Sequence, residues 1–153
     1  MKPGFPACRV QVFLLTWFVK GFMKRVVIIG NGVAGITAAR HIRKLSDHHI
    51  TIISSESPYF FSRTALMYVY MGHLKYKNIK PYEDRFWKKN RIDLVFDHAL
   101  QVDTGTKSVR LRSGRSVAFD YLIIATGSRS NFPGCPGEDL AGVQGLYSYQ
   151  DLE

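Results

Sequence analysis

The sequence predicts an α/β fold: a parallel sheet packed against helix, with an antiparallel β-meander inserted before the last parallel strand. Three observations carry that prediction. The β-branched run Val26-Val27-Ile28-Ile29 passes through Gly30-Asn31-Gly32-Val33-Ala34-Gly35 into an Ala-containing helical segment, Ile36 to Leu45. A second β-branched run follows at Ile50-Thr51-Ile52-Ile53, and a third, Tyr121-Leu122-Ile123-Ile124-Ala125, stands far downstream. Strand, helix and strand in that order are the pattern of a parallel pair with a helical crossover.

The glycines of the first turn have separate physical uses. Gly30 permits a tight turn, Gly32 lets the backbone approach a pyrophosphate, and Gly35 allows the helix to pack closely on the strand. Ala39, one turn further on, is small enough to continue that close approach. The free N–H groups and positive end of the helix then face two phosphates, which makes Gly30, Gly32, Val33, Ala34 and Gly35 candidate cofactor-binding residues. After the second strand a ribose-binding carboxylate is expected, about 20 residues past the glycines. Ser54 and Ser55 stand there and Glu56 comes next, so Glu56 is the candidate ribose ligand; the alternative is a solvated loop acid. No Arg immediately follows the strand to hold a 2′-phosphate, which disfavours NADP at this site.

The next region is basic. Lys75, Lys77, Lys80, Arg85, Lys88, Lys89 and Arg91 are interleaved with Tyr76, Tyr82, Phe86 and Trp87. That mixture can bind nucleic acid, yet no recognised nucleic-acid motif accompanies it. We read it as a helical excursion with Phe86 and Trp87 packed inward and the charges solvated, a surface suited to an anionic redox partner or an acidic lipid. Ile92 to Phe96 then reads as a strand within the insertion. Leu100 to Val102 and Val109 to Leu111 bracket the turn signal Asp103-Thr104-Gly105-Thr106, and Ser113-Gly114-Arg115 gives another turn before Val117. These pieces form the meander that feeds the last strand of the sheet.

That last strand ends in Ala125-Thr126-Gly127. With the glycine motif, it makes the chain resemble the FAD-dependent pyridine nucleotide-disulfide oxidoreductases, flavoproteins with two dinucleotide-binding domains that include ferredoxin reductases and NADH oxidases. The resemblance runs from about Lys24 to Glu153 and implies a Rossmann-like FAD-binding domain. It implies that Ala125, Thr126 and Gly127 lie beside the flavin nucleotide. Pro58-Tyr59-Phe60-Phe61-Ser62-Arg63 is similar to the family's aromatic-x-Arg loop, in which Arg63 would hold the FAD pyrophosphate; a pairing with Glu56 is the other use open to it. Some relatives carry a Lys where this chain has Tyr68. The residue that gives backbone hydrogen bonds to adenine maps onto Ala99.

The resemblance also implies NAD(P)H as co-substrate of the full-length enzyme and an electron acceptor that is a protein or a small molecule. A membrane-associated NADH:quinone type of enzyme, a non-enzymatic nucleotide-binding module and an inactive fragment are the competing readings. At 153 residues the chain has room for about one domain. We expect a domain over residues 23–130, followed by a linker over 131–153 that leads toward an NAD(P)-binding domain. Residues 1–22 read as a non-native N-terminal extension whose apolar run from Val10 to Val19 is too short to cross a bilayer. Its aromatic residues would otherwise suit a membrane surface.

Counting limits the remaining chemistry. Cys8 and Cys135 are the two cysteines, and no Cys-x-x-Cys follows the glycine motif, so electrons are expected to leave for an external acceptor without passing through a protein dithiol. Few cysteines and no secretory signal point to the cytoplasm. The five histidines lack metal-site spacing, and His48-His49 reads as a surface loop. No residue stands out as an acid–base catalyst. The net charge of +9 fits an acidic partner surface without naming it.

Overall fold

The computed structural model describes residues 23–131 and 134–152. The readings made above for residues 1–22, Cys8 included, lie outside the described residues. Four parallel strands form the main sheet: β1 (Arg25–Ile29), β2 (His49–Ser54), β3 (Ile92–Phe96) and β7 (Tyr121–Ile124), in the order β3-β2-β1-β7. A second, antiparallel sheet joins β4 (Ala99–Asp103), β5 (Ser108–Leu111) and β6 (Ser116–Ala118). Helix α1 (Val33–Leu45) crosses from β1 to β2, while short helices α2 (Leu66–Tyr70) and α3 (Asp84–Lys89) occupy the long excursion before β3. This is the expected α/β class, a Rossmann-like parallel sheet with an inserted antiparallel meander.

The period of two in a strand explains the layering. Val26 and Ile28 of β1, with Ile50 and Ile52 of β2, face one side and bury against Ile36 and Ala39 of α1 and Trp87 of α3. Val27 and Ile53 face the other side and bury against Val109 and Leu111 of the meander and Phe119 behind it. A sheet apolar on both faces requires both covers, and here helices supply one and the meander the other. Trp87 is buried and Phe86 packs against the same cluster, as the inward reading of the basic excursion expects. Three of its cations are held by acids: Lys80 by Asp84, Arg85 by Glu83 and Arg91 by Asp47.

Three local readings need correction. Ile92–Phe96 does not belong to the insertion; it pairs in parallel with β2, Ile50 opposite Ile92 through Ser54 opposite Phe96, and forms an edge of the main sheet. Helix α1 begins at Val33 and not at Ile36, because Ile36 N–H already donates to Gly32 C=O at 3.0 Å. His49 is the first residue of β2, its N–H donating to Lys24 C=O at 2.9 Å, so only His48 of that pair is in the loop. The two meander turns form at the expected places. The Asp103 carboxylate accepts from Gly105 and Thr106 N–H at 2.9 and 3.0 Å, and Gly114 turns the second corner at φ 85°.

Candidate functional site

The order β3-β2-β1-β7 means that the chain leaves β1 toward β2 on one side and later returns to β1's other side as β7. The strand order therefore reverses between β1 and β7, and open α/β sheets bind ligands at the carboxyl ends of strands at such a point. A cavity of about 690 Å³ opens there. Its wall includes Gly30, Gly32, Val33 and Ala34 from the first turn, Glu56 and Arg63 from the loop after β2, Ala99 from β4, and Ala125, Thr126 and Gly127 after β7. Of the residues predicted for the site, only Gly35 lies off this wall.

Two of the three glycines of the turn are explained by different neighbours. Gly30 adopts φ +112°, and a Cβ there would stand 2.2 Å from the Ala125 carbonyl oxygen. The same junction is tied by Ala125 N–H to Ile29 C=O and by Gly30 N–H to Ile53 C=O, both at 2.8 Å. Gly35 is buried, and a Cβ on it would meet the Gly30 carbonyl oxygen at 2.1 Å and the Ile28 Cγ2 at 3.2 Å. Gly32 differs from both. Its φ of −71° suits any residue and no atom lies within 4 Å of a Cβ built on it. Among the described residues nothing packs where a side chain at Gly32 would stand, so the missing side chain leaves the turn open to the cavity.

Gly32 is also the N-cap of α1, with no side-chain cap and no acidic residue in the first turn. The N–H groups at the start of a helix have no intrahelical partner, so this end presents donors and positive dipole to the cavity. The turn is held by a residue that the motif leaves unspecified. Asn31 is buried, and its Nδ2 donates to Ser57 C=O at 2.9 Å, fixing the glycine turn to the loop after β2.

Glu56 and Arg63 face one another. Arg63 Nη1 donates to Glu56 Oε1 at 2.9 Å and Nη2 to Oε2 at 2.5 Å, a bidentate pair whose side chains are 23% and 34% exposed for Glu56 and Arg63. Hydrogen bonding to Glu56 is the main reason the Arg63 pKa rises above its usual value. Sequence reasoning left this pairing open beside phosphate and ribose binding. It missed Tyr147, whose backbone carbonyl accepts from Arg63 Nη1 and whose ring lies 4.4 Å from the guanidinium carbon. Tyr147 lines the cavity too, and Ser128 Oγ lies 2.8 Å from its phenol oxygen. The segment read as a linker thus folds back over the site. Phe60 and Phe61 of the aromatic-x-Arg loop also line the wall, as do His98 and Pro81, which no motif in the sequence marks.

Among the described residues no group of three His, Cys, Asp or Glu side chains could hold a metal ion, and no helix is long and apolar enough to cross a membrane. Cys135 is exposed and free. Tyr68 is half exposed on α2 and does not line the cavity.

Comparison with known proteins agrees with this architecture. Sulfide-quinone reductase of Aquifex aeolicus is 36% identical over 117 residues, which is 76% of this chain and 27% of that protein; its crystal structure superposes with a TM-score of 0.67. A NAD-dependent persulfide reductase from A. fulgidus matches at 31% identity and a TM-score of 0.73, over 84% of this chain and 26% of that one. NADH:rubredoxin oxidoreductase from Clostridium acetobutylicum matches at 30% identity and a TM-score of 0.71, over 86% and 34%. The chain thus spans about a third or less of the length of these relatives. The model of the family described as pyridine nucleotide-disulphide oxidoreductase matches residues 24–153, the same stretch that builds the sheet, the glycine turn and the cavity, and the chain belongs to that family.

Proposed function

We propose that this chain is the FAD-binding portion of an NAD(P)H-dependent flavoprotein oxidoreductase that passes electrons to an external acceptor. The observation that carries the reading is Gly32: its missing side chain serves no contact among the described residues, and it sits at an uncapped helix N-terminus on the wall of a cavity of about 690 Å³. A diphosphate bridging two nucleoside-like halves satisfies all three conditions.

The residues present fit that group. The backbone N–H groups of Val33 and Ala34 would receive the pyrophosphate, with Gly30 and Gly35 keeping the turn and helix close enough to do so. Arg63 uses three N–H donations within the chain among the described residues, which leaves two of its five for phosphate oxygens. Ala99 opens β4 on the same wall and suits backbone recognition of adenine, while Ala125, Thr126 and Gly127 offer a small-residue surface to the flavin half. FAD, when bound, supplies the redox chemistry, and the protein supplies position and electrostatics.

The external acceptor follows from the lack of a Cys-x-x-Cys after the glycine motif. The relatives are named for a quinone in one case and for rubredoxin in another, so an acceptor of either class is consistent with the family. NAD(P)H is the electron donor in this reading. The test is the visible spectrum of the purified natural protein, before and after incubation with FAD and then with NADH or NADPH. Flavin absorbance that survives gel filtration and bleaches on reduction supports the proposal; retention of NAD with no affinity for FAD overturns it.

A further inference from the structure

We propose that Glu56 is a positioning residue and not a ribose ligand: its carboxylate locks Arg63 and the C-terminal segment Tyr147–Asp151 into one wall of the cleft. The inference concerns the cofactor site proposed above, but its first half is a statement about the chain alone.

The carboxylate is nearly used up by the chain. A carboxylate offers about four lone-pair positions. Oε1 accepts from Arg63 Nη1 at 2.9 Å and from Tyr149 N–H at 3.1 Å, and Oε2 accepts from Arg63 Nη2 at 2.5 Å. The backbone of Glu56 is engaged as well, since Gln150 Nε2 donates to its carbonyl oxygen at 2.7 Å. A ribose diol binds a carboxylate through two hydroxyl donors, and one free position cannot serve both without breaking a charge-assisted bond.

The partners of Glu56 are themselves joined. Arg63 donates to Tyr147 C=O and lies over its ring, while Tyr147 and Ser148 N–H both donate to Asp151 Oδ2 at 2.7 Å. These two N–H groups hold the Asp151 carboxyl below its usual pKa. Tyr149 packs its ring 4.5 Å from Tyr76 and 6.3 Å from Phe61, over the cluster that includes Leu66 and Ile79. Glu56 is therefore the residue through which a segment 93–94 positions downstream, at Tyr149 and Gln150, is fastened to the loop after β2. Its effect on any nucleotide would be exerted through Arg63, whose guanidinium plane it sets, and through Tyr147, which it keeps on the cavity wall.

Two measurements on the full chain decide this. Amide hydrogen exchange of Tyr147 through Leu152, with no nucleotide added, should accelerate by about tenfold or more in Glu56→Gln and in Arg63→Ala, and return toward the natural rate in Glu56→Asp. Circular dichroism should show the sheet intact in all three. Unchanged exchange in Glu56→Gln overturns the inference whatever the protein binds. The second measurement is a double-mutant cycle on FAD affinity. Glu56→Gln should weaken FAD in the natural background and have no further effect in the Arg63→Ala background. A full additional loss there assigns Glu56 to direct ribose contact and overturns the positioning role. If no variant and not even the natural chain binds FAD, the functional proposal fails, while the exchange measurement still decides whether Glu56 fastens the segment.

Discussion

The three glycines of the turn lend themselves to an experiment in which packing and binding separate. Gly35→Ala places a Cβ 2.1 Å from the Gly30 carbonyl oxygen and 3.2 Å from Ile28 Cγ2, both inside the buried seam between α1 and β1. Relief requires the helix to move away from the sheet, and overpacking of this kind costs about 1–3 kcal/mol. For a chain of this size that corresponds to a fall in Tm of about 2–12 °C. Gly32→Val meets nothing within 4 Å and keeps an extended backbone at φ −71° and ψ −178°, where a β-branched residue is at ease. Its loss of N-cap quality is about 1 kcal/mol. The restricted unfolded chain offsets roughly 0.4–1 kcal/mol of that. Its Tm should therefore stay within about 2 °C of the natural chain, while its isopropyl group fills the space in front of the helix N-terminus and FAD retention is abolished. Thermal unfolding followed by circular dichroism, paired with flavin content after gel filtration, reads both effects. Equal destabilisation by the two substitutions, or full flavin content in Gly32→Val, would refute the division of labour.

Three further outcomes follow from particular contacts. Arg63→Ala should weaken FAD binding by about 1–3 kcal/mol, as for a charge-assisted hydrogen bond, measured by flavin fluorescence titration; no loss would leave Arg63 to its intramolecular partners alone. Trp87→Ala removes a buried indole 5.1 Å from the Phe86 ring and 5.6 Å from that of Tyr82. It should cost about 3–5 kcal/mol in a denaturant titration, a large part of the roughly 5–15 kcal/mol that holds a domain together. Asp120 accepts from Arg25 N–H at 2.7 Å and from its guanidinium, and Arg25 lowers its pKa from 3.8 to about 2. A depressed folded-state pKa stabilises above 3.8 and is lost as the pH falls through about 2. The Tm deficit of Asp120→Asn should therefore be present at pH 7 and close between pH 3.8 and 2.

What could be read in the sequence was what is local. The glycine turn, the strands at 26–29 and 50–53 and the turns at 103–106 and 113–115 depend on neighbouring residues, and each formed where it was expected. The partner of a strand is not local. Ile92–Phe96 has the composition of any short strand, and only the arrival of β2 beside it decides that it extends the parallel sheet. The site shows the same contrast. Gly30 and Ala125 announce themselves by motif, and the structure brings them into contact at the switch point. Tyr147 does not, because its place on the wall is set by Arg63 and Glu56, residues 84 and more positions away. A single sequence carries no signal for that fastening beyond an acid and an Arg seven residues apart.

The edge of the main sheet supplies a last expectation. Among the described residues β7 pairs with β1 along one side only, and no strand pairs with the backbone N–H and C=O groups of its other side. Leu122 and Ile123 pack into the two core layers, yet Tyr121 is 58% and Ile124 67% exposed. A short apolar edge with free hydrogen-bonding groups is a template for pairing with a second strand. None of the four residues from Tyr121 to Ile124 carries the charge that natural edges use to prevent it. The chain should therefore self-associate as its concentration rises. Tyr121→Lys, at the end of β7 remote from Ala125, places a charge on that edge without touching the cavity. Sedimentation velocity over a hundredfold range of concentration should show association in the natural chain and a largely monomeric Tyr121→Lys with unchanged Tm. Equal association in both would mean that another surface, such as the exposed Met67, Tyr70 and Met71 of the α2 region, makes the contact and that the β7 edge is protected by its own twist.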